Sequence, residues 1–490
     1  MTDERIDLLI VGAGPAGMSA ATEARRAGLT VCVIDEGTGV GGQIYRSISK
    51  DRPELASILG GDYLAGQELA KEFLASGSGY LAAGTVFMIE RDDSGDFLVS
   101  VVLPDGAVQL RGRYLLIATG ALERPFPIRG WTLPGVMTAG AAQTMLKSSG
   151  TVPSGRICLA GCGPLLYLLA AQYIRAGVEI AVLDTTPWSH WVRAAPFLPV
   201  FMASRYMWKG MKLLATVASR THVIRGVTDL EALGDGRLSG VRYVAGGKEK
   251  RLDVDTLLLH QGVTPQVNLA MSAGARHRWS DERLAFEPIV DKWGQTSVER
   301  LFVAGDSAGI GGAEAAVWRG VLAASQIVRT VDPGKARTCR DRQKQARAEL
   351  RQALRGRRFL DRLYRPPANF RTPADDVIVC RCEEVRAGEV RAIAAGGAIG
   401  PNQVKAFSRA GMGPCQGRMC GLTICELIAE QTSSHPQEVG YMNIRAPVKP
   451  VRLGEIARMR KEGECPGGDC KTDLARRIGS CARDAEQARW

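Results

Sequence analysis

Four cysteines near the C-terminus have the types and spacing to do chemistry. Cys380 and Cys382 form a C-x-C pair in Val377-Ile378-Val379-Cys380-Arg381-Cys382-Glu383-Glu384-Val385. After 32 intervening residues, Gly413-Pro414-Cys415-Gln416-Gly417-Arg418-Met419-Cys420-Gly421 supplies a C-x₄-C pair. Four thiolates suit a [2Fe–2S] cluster, and by ligand type they suit zinc as well. Glu389 to Ala395 and the segment after Cys420 read as helical, which puts the thiols on the loops of a small helical module. Cys425, just over a turn beyond Cys420, is expected to be a packed helix residue. Cys465, Cys470 and Cys481 lie in a polar tail with no histidine nearby, and a plain tail is preferred there to a second metal site. Twelve cysteines in a chain with no signal-type leader are not expected to form a disulfide framework; metal or redox use is the better expectation for those that cluster.

A second chemical signal stands at the other end. Ile6 to Ile10 is an apolar strand, followed by Val11-Gly12-Ala13-Gly14-Pro15-Ala16-Gly17 and a run of helix formers to Ala27. Gly28 stops the helix, Leu29 to Ile34 reads as a buried strand, and Asp35-Glu36 closes the unit. This is a dinucleotide fingerprint in its full strand–helix–strand context. Gly12 allows the turn, Gly14 lets backbone approach a pyrophosphate, and Gly17 lets the helix pack on the sheet. The helix start at Pro15 and Ala16 then faces the phosphates. An acid about 20 residues on accepts from a ribose; Glu36 is the first candidate and Asp35 the second.

These sites imply elements to position them. Leu55 to Ala75 is helical by spacing. Tyr80 to Glu90, Phe97 to Leu103 and Val108 to Arg113 are strand-like, with a turn at Pro104-Asp105-Gly106. A second Rossmann-like unit begins at Gly155. It has a strand Arg156 to Ala160, a turn Gly161-Cys162-Gly163-Pro164, a helix from Leu165 to Ala176, and a strand ending in Asp184. Gly161, Gly163, Pro164 and Asp184 are its candidate nucleotide contacts, but Leu166 stands where a glycine or alanine is expected. NAD(P)H, another adenine nucleotide, and an empty scaffold all stay open for this unit. His260, at the end of a later strand, is expected to make a structural hydrogen bond. The aromatic segment Thr186 to Val217 is either a partner surface or internal packing, with packing slightly preferred.

Two more stretches, Tyr114 to Gly120 and Leu301 to Asp306, are apolar strands ending in small residues. With the Gly41-Gly42-Gln43 loop, they make residues 6 to about 330 resemble the two-dinucleotide-domain flavoproteins, the glutathione reductase-like superfamily. That resemblance implies FAD in the first unit. It places Gly41, Gly42, Gln43, Thr119, Gly120 and Gly305 beside the cofactor and Asp306 on its ribityl–phosphate chain. The cysteine quartet resembles the bacterioferritin-associated ferredoxin-like [2Fe–2S] domain, although that family usually has C-x₂-C as its second pair. The expected fold class is therefore α/β, with two Rossmann-like domains plus a small helical [2Fe–2S] domain. The expected boundaries are 1–130 with 287–334 (FAD), 131–286 (second Rossmann unit), 335–375 (basic linker), 376–440 ([2Fe–2S]) and 441–490 (tail).

Taken whole, from Ile6 to about Ile456, the chain resembles the α-type subunits of bacterial opine oxidases, hydrogen cyanide synthase, and D-hydroxyproline and proline dehydrogenases. Gly39-Val40-Gly41-Gly42-Gln43-Ile44-Tyr45-Arg46, the quartet, and Arg445-Ala446-Pro447-Val448-Lys449-Pro450 carry that resemblance. It implies an electron-transfer subunit serving an amine-oxidase-like flavoprotein β subunit that oxidises a C–N bond of an opine or an amino or imino acid. FMN at a subunit interface is a further implication, as is a small γ subunit; no residue assigns a catalytic acid–base pair. Two other readings are a stand-alone NAD(P)H:acceptor reductase and a non-catalytic scaffold binding nucleotide and zinc. A disulfide reductase is disfavoured, because no C-x-x-C lies near the flavin signals.

Charge and hydropathy bound the rest. Of the net charge of +12, a net of +9 falls between Lys335 and Arg365. No nucleic-acid motif accompanies it, so a solvated helix, or one laid on an acidic partner, is expected rather than a nucleic-acid site. No apolar run approaches membrane-spanning length, and a cytoplasmic location is the default expectation.

Overall fold

The computed structural model describes residues 5–50, 52–457 and 459. Cys465, Cys470 and Cys481 lie outside them.

Two sheets, the first mixed and the second parallel, are built from the predicted units. In the first, Ile6–Val11 lies between Val31–Ile34 and Gly106–Ile117, parallel to both, with Gly79–Leu81 beyond Val31–Ile34. Leu301–Val303 adds in parallel to the end of Gly106–Ile117, pairing Val303 with Ile117. That register brings the strand end at Ala118 and the one at Ala304 beside the glycine turn. Phe97–Leu103 and Thr85–Arg91 extend the sheet antiparallel. The near-continuous apolar runs follow from burial on both faces: Leu8, Leu9, Ile10, Leu115, Leu116 and Ile117 are fully buried. Helices Pro15–Arg26 and Ala313–Val331 cover one face, and Ser19 Oγ donates to Val317 O at 2.9 Å between them.

The second sheet runs Val223–Arg225, Ile180–Asp184, Ile157–Cys162, Thr256–Gln261, Val136–Thr138, all parallel. A three-stranded antiparallel sheet, Val227–Asp235, Arg237–Ala245 and Lys248–Asp253, packs against it.

Three sequence readings change in detail. The helix expected over Leu55 to Ala75 is three pieces, Pro53–Leu59, Gly61–Leu64 and Gly66–Leu74. Gly60, at φ +83°, breaks the first from the second. The strand expected over Tyr80 to Glu90 is two, Gly79–Leu81 and Thr85–Arg91. The basic helix expected between Lys335 and Arg365 forms as Ala336–Ala353, followed by Arg357–Leu363 and a 3₁₀ turn Ala368–Phe370, with Phe370 buried edge-on against Phe126. The third change is past residue 440, where Val448 is buried in the first unit's core and its N–H donates to Phe87 O at 2.8 Å.

The cysteine segment opens with a hairpin, Ile378–Cys380 and Val385–Arg386, followed by helices Ala387–Ala395, Pro401–Ser408 and Gly421–Thr432. Its core is continuous with Trp279, Leu284 and Phe286 of the hairpin His277–Ser280 and Ala285–Pro288. Among the described residues no helix is long and apolar enough to cross a membrane.

Candidate functional site

The glycine turn shows how the first cleft is made. Gly12, at φ +110°, would place a Cβ 2.4 Å from Ala118 O, and Gly17 would place one 1.8 Å from Gly12 O. Both positions are closed to any side chain. Gly14 is different: the nearest atom to its Cβ position is Gly42 Cα at 3.9 Å, so its backbone borders open space. It precedes helix Pro15–Arg26, whose start is capped by no side chain. The first N–H groups there are available to a phosphate.

The two acids after the second strand have separate roles. Asp35 Oδ2 accepts from Ala13 N at 2.5 Å and Oδ1 from Gly37 N at 2.7 Å, so it braces the turn. Glu36 is exposed, lines the cleft, and pairs with Lys449. Gly41 N donates to Ala13 O at 2.9 Å, laying the Gly41-Gly42-Gln43 loop on the turn. Lys147 Nζ holds that loop through Gln43 O at 3.2 Å and Ile44 O at 3.0 Å. Burial pushes this ammonium down to about 8.

A cavity of about 1220 Å³ joins these parts, beyond the usual ligand-pocket range of roughly 300–1,000 Å³ and so roomy enough for a dinucleotide. Gly12, Gly14, Pro15, Ala16, Glu36, Gly42, Gln43, Thr119, Gly120, Gly305 and Asp306 line it. So does Gln266, whose N–H donates to Gly120 O at 3.0 Å. Thr119 Oγ1 and Gln266 Oε1 are buried with no partner in the protein. At the edge of a cleft, such atoms have room to meet a polar group entering it. Asp306 Oδ1 accepts from Gly311 N at 2.8 Å and Gly312 N at 2.9 Å, fixing the turn that starts helix Ala313–Val331. The residues present fit a flavin dinucleotide.

The second unit is arranged otherwise. Gly161 would carry a Cβ 1.7 Å from His260 O, and Gly163 begins helix Pro164–Arg175. Leu166 is fully buried in the unit's core. Asp184 is buried, with Oδ2 accepting from Tyr167 OH at 2.5 Å and Oδ1 from Thr186 N at 2.8 Å. Pro164, Leu165, Tyr167 and Leu168 border the same large cavity. His260 makes the structural bond expected of it, Nδ1 to Glu123 Oε1 at 2.6 Å, while Glu123 Oε2 accepts from Gly140 N. Cys158 and Cys162 are buried, and burial pushes both thiols up to about 12.

The four C-terminal thiols come together. Contacts run in a row, Cys380 to Cys420, Cys420 to Cys415, and Cys415 to Cys382. Bonds from Cys420 hold the Cys380 and Cys415 thiols below their ordinary values and push Cys420 itself well up. Backbone groups of Gly411 and Glu383 bond Cys380, those of Met419 and Gly417 bond Cys415, and that of Cys415 bonds Cys382. These amides favour thiolate over thiol. Gly413 must be glycine, since a Cβ would sit 2.2 Å from that of Cys382. Among the described residues no group of three or more His, Cys, Asp or Glu is placed to hold a metal ion. One tetrahedral ion needs every sulfur at about 2.3 Å from one point; a two-iron cluster spreads four thiolates over two irons. Cys425, outside the row, is buried as expected and contacts Pro436 O at 3.6 Å.

The thiol loop and the first cleft share a wall. Arg418, inside the C-x₄-C loop, donates from Nη1 to Cys415 O at 3.1 Å and from Nη2 to Val448 O at 2.9 Å, and it lines the cavity with Val448 and Lys449. Buried Glu426 pairs with Arg371 at 2.7 Å on the module's other side. Sequence reasoning did not assign Arg418, Lys147 or Gln266. A lone basic residue between two ligand cysteines was the available signal for Arg418.

The aromatic segment divides. Phe201 stacks on Phe359 at 4.4 Å and packs as expected, whereas Trp188 and Trp208 are 79% and 66% exposed.

Comparison with known proteins agrees with this geometry. Residues 6–320 match the family model for pyridine nucleotide-disulphide oxidoreductases, and residues 378–459 match the sarcosine oxidase A3 domain. The A subunit of the opine oxidase of Agrobacterium tumefaciens (strain Ach5) is 44% identical over 92% of this chain and 92% of its own. The HcnB subunit of the hydrogen cyanide synthase of Pseudomonas aeruginosa is 31% identical over 93% of this chain and 99% of its own. The crystal structure of L-proline dehydrogenase from P. horikoshii superposes with a TM-score of 0.69 at 20% identity, covering 92% of this chain and 79% of that one, and so shares the fold. The chain belongs to the pyridine nucleotide-disulphide oxidoreductase family and, within it, to the group of opine oxidase A subunits. It is an oxidoreductase, and the α/β fold with two Rossmann-like units expected from the sequence is the fold observed.

Proposed function

As a member of this family, the chain is, we propose, the FAD- and [2Fe–2S]-bearing electron-transfer subunit of a hetero-oligomeric dehydrogenase or oxidase. The assembly oxidises a C–N bond of an opine or an amino or imino acid, and the substrate site lies in an amine-oxidase-like β subunit. The names of the relatives, subunits of opine oxidase and hydrogen cyanide synthase, support the multi-subunit reading and the class of donor.

When bound, the two groups supply acceptance of an electron pair and one-at-a-time transfer. The residues of the chain hold and insulate them. Gly14 and the uncapped start of helix Pro15–Arg26 receive the pyrophosphate, and Glu36 the ribose. Thr119 and Gln266 offer the unpaired polar atoms, and Asp306 faces the cleft from its braced turn. Cys380, Cys382, Cys415 and Cys420 hold the cluster, with the amides of Gly411, Glu383, Gly417 and Met419 supporting thiolate charge. The domain division follows the same lines: residues 1–130 with 287–334 carry the flavin, 131–286 the second unit, and 376–440 the thiols.

The observation that carries this reading is the shared wall, in which Arg418 touches both the thiol loop and the cavity. The second unit supports the stand-alone NAD(P)H reductase less well, because Leu166 fills the third glycine position and Asp184 is buried. The test is co-expression with an amine-oxidase-like partner subunit, then metal analysis and anaerobic reduction. We expect about two irons per chain and a low-temperature paramagnetic iron signal on reduction, with flavin bleaching by the amino-acid substrate only when the partner is present. Zinc alone, or bleaching by NAD(P)H in the isolated chain, sinks the proposal.

A further inference from the structure

A second cavity, of about 670 Å³, lies on the far side of helix Ala313–Val331, away from the dinucleotide cleft. Six cations line it: Lys292, Arg329, Arg340, Lys344, Arg347 and Arg351. No carboxylate does, and among the described residues none of the six forms an ion pair. Four of them stand at positions i, i+4, i+7 and i+11 of helix Ala336–Ala353, which is one stripe of a helix. Like charges at such spacing repel and weaken a helix, so the stripe has no structural rationale of its own.

Trp293 organises the charges. The Arg347 guanidinium lies over its indole at 3.9 Å, with Lys292 at 5.3 Å and Arg329 at 5.7 Å. The turn that carries Trp293 is fixed by Asp291 Oδ1, which accepts from Trp293 N at 2.8 Å and Gln295 N at 2.9 Å. A ring quadrupole holds a cation in place without cancelling its charge, whereas a carboxylate would do both. Arg347 Nη2 is buried and has no hydrogen-bond partner. The floor is apolar, with Leu322 buried and Leu350 beside it. Cations therefore converge on a concave space from two helices and a turn, with their charge uncompensated.

We propose that this cavity binds a small anion carrying two or three linked phosphates. The stripe from Arg340 to Arg351 spans twelve residues, about 16 Å along the helix axis, and with Lys292 and Arg329 it gathers more cations than a lone phosphate can meet. Arg347 and Arg340 provide forked donors suited to phosphate oxygens, and Lys344 a point charge.

The test titrates the purified full chain with inorganic pyrophosphate and tripolyphosphate by calorimetry, at constant ionic strength, with sulfate as the single-anion control. Both polyphosphates bind one per chain, about tenfold or more tighter than sulfate. The triple variant Arg340→Gln/Lys344→Gln/Arg351→Gln, at three exposed positions, keeps its melting temperature and loses about a hundredfold in affinity. Trp293→Leu, which leaves the charge count intact, loses about tenfold by freeing Arg347. Equal binding of sulfate and pyrophosphate, undiminished binding by the triple variant, or no effect of Trp293→Leu overturns the proposal. So does capture of the chain by phosphatidylglycerol vesicles with no binding of soluble polyphosphate, since the ligand would then be a membrane surface.

Discussion

The two Rossmann-like units share a plan and differ at the third glycine of the turn and at the acids after the second strand. In each, the first turn glycine presses on the carbonyl of a neighbouring strand: Gly12 on Ala118 O, Gly161 on His260 O. That contact closes the turn and is common to both. At the third glycine position the first unit has Gly17, tight against Gly12 O, and the second has Leu166, buried in the core. After the second strand the first unit has two acids, of which Asp35 braces and Glu36 faces the cleft. The second has only Asp184, already engaged by Tyr167 and Thr186. Asp184 is buried behind these bonds, whereas Glu36 is exposed at the cleft and pairs with Lys449. The two units thus differ in how openly an acid stands at the cleft after the turn is built.

The largest effect comes from exchanging the third position. Gly17→Leu puts a side chain where a Cβ already falls 1.8 Å from backbone, and we expect a loss of about 4 kcal/mol or more with loss of bound flavin. The reciprocal Leu166→Gly opens the second core, costing about 3–5 kcal/mol in denaturant unfolding. It gains no NADH binding, because Asp184 stays engaged. Tight NADH binding by Leu166→Gly would break the comparison.

Lys147, which braces the first unit's loop, sharpens it through pH. Burial lowers the ammonium from the ordinary 10.5 to about 8. Between those values the unfolded chain holds the proton more tightly than the folded one, so stability rises with pH. Relative to Lys147→Met, which does not titrate, wild-type unfolding free energy should climb by up to about 3 kcal/mol from pH 8 to 10.5 and be flat below pH 8. A flat difference across that window would mean that the ammonium is not held dry.

The smallest effect separates the two acids. Glu36→Gln, at an exposed side chain, should change the melting temperature little and weaken dinucleotide binding by about tenfold. Asp35→Asn should do the reverse first, lowering stability by about 1–3 kcal/mol through its two backbone bonds. Flavin release during dialysis and thermal melting distinguish them.

Much of this was legible in the chain. The βαβ units follow from glycine spacing and apolar runs, because turn geometry is local. The hairpin at Pro104-Asp105-Gly106 likewise joins Phe97–Leu103 to Gly106–Ile117 as read. The break at Gly60 was visible as Gly60-Gly61 but lost to helical spacing around it. What periodicity does not encode is which distant residues meet. The basic stretch was evident, yet its convergence on Trp293 depends on how helix Ala336–Ala353 lies on Ala313–Val331. The aromatic run carried no mark separating packed Phe201 from exposed Trp188, since both are large and apolar.

The pairing of Lys449 with Glu36 spans 413 positions of sequence. At synthesis rates of about 5–20 residues per second, roughly 20–80 s pass between the emergence of the acid and that of its cation. Other walls of the cleft, Gln266, Gly305 and Asp306 among them, are made within that interval, so Val448 and Lys449 complete a lining the rest of the chain has already laid down.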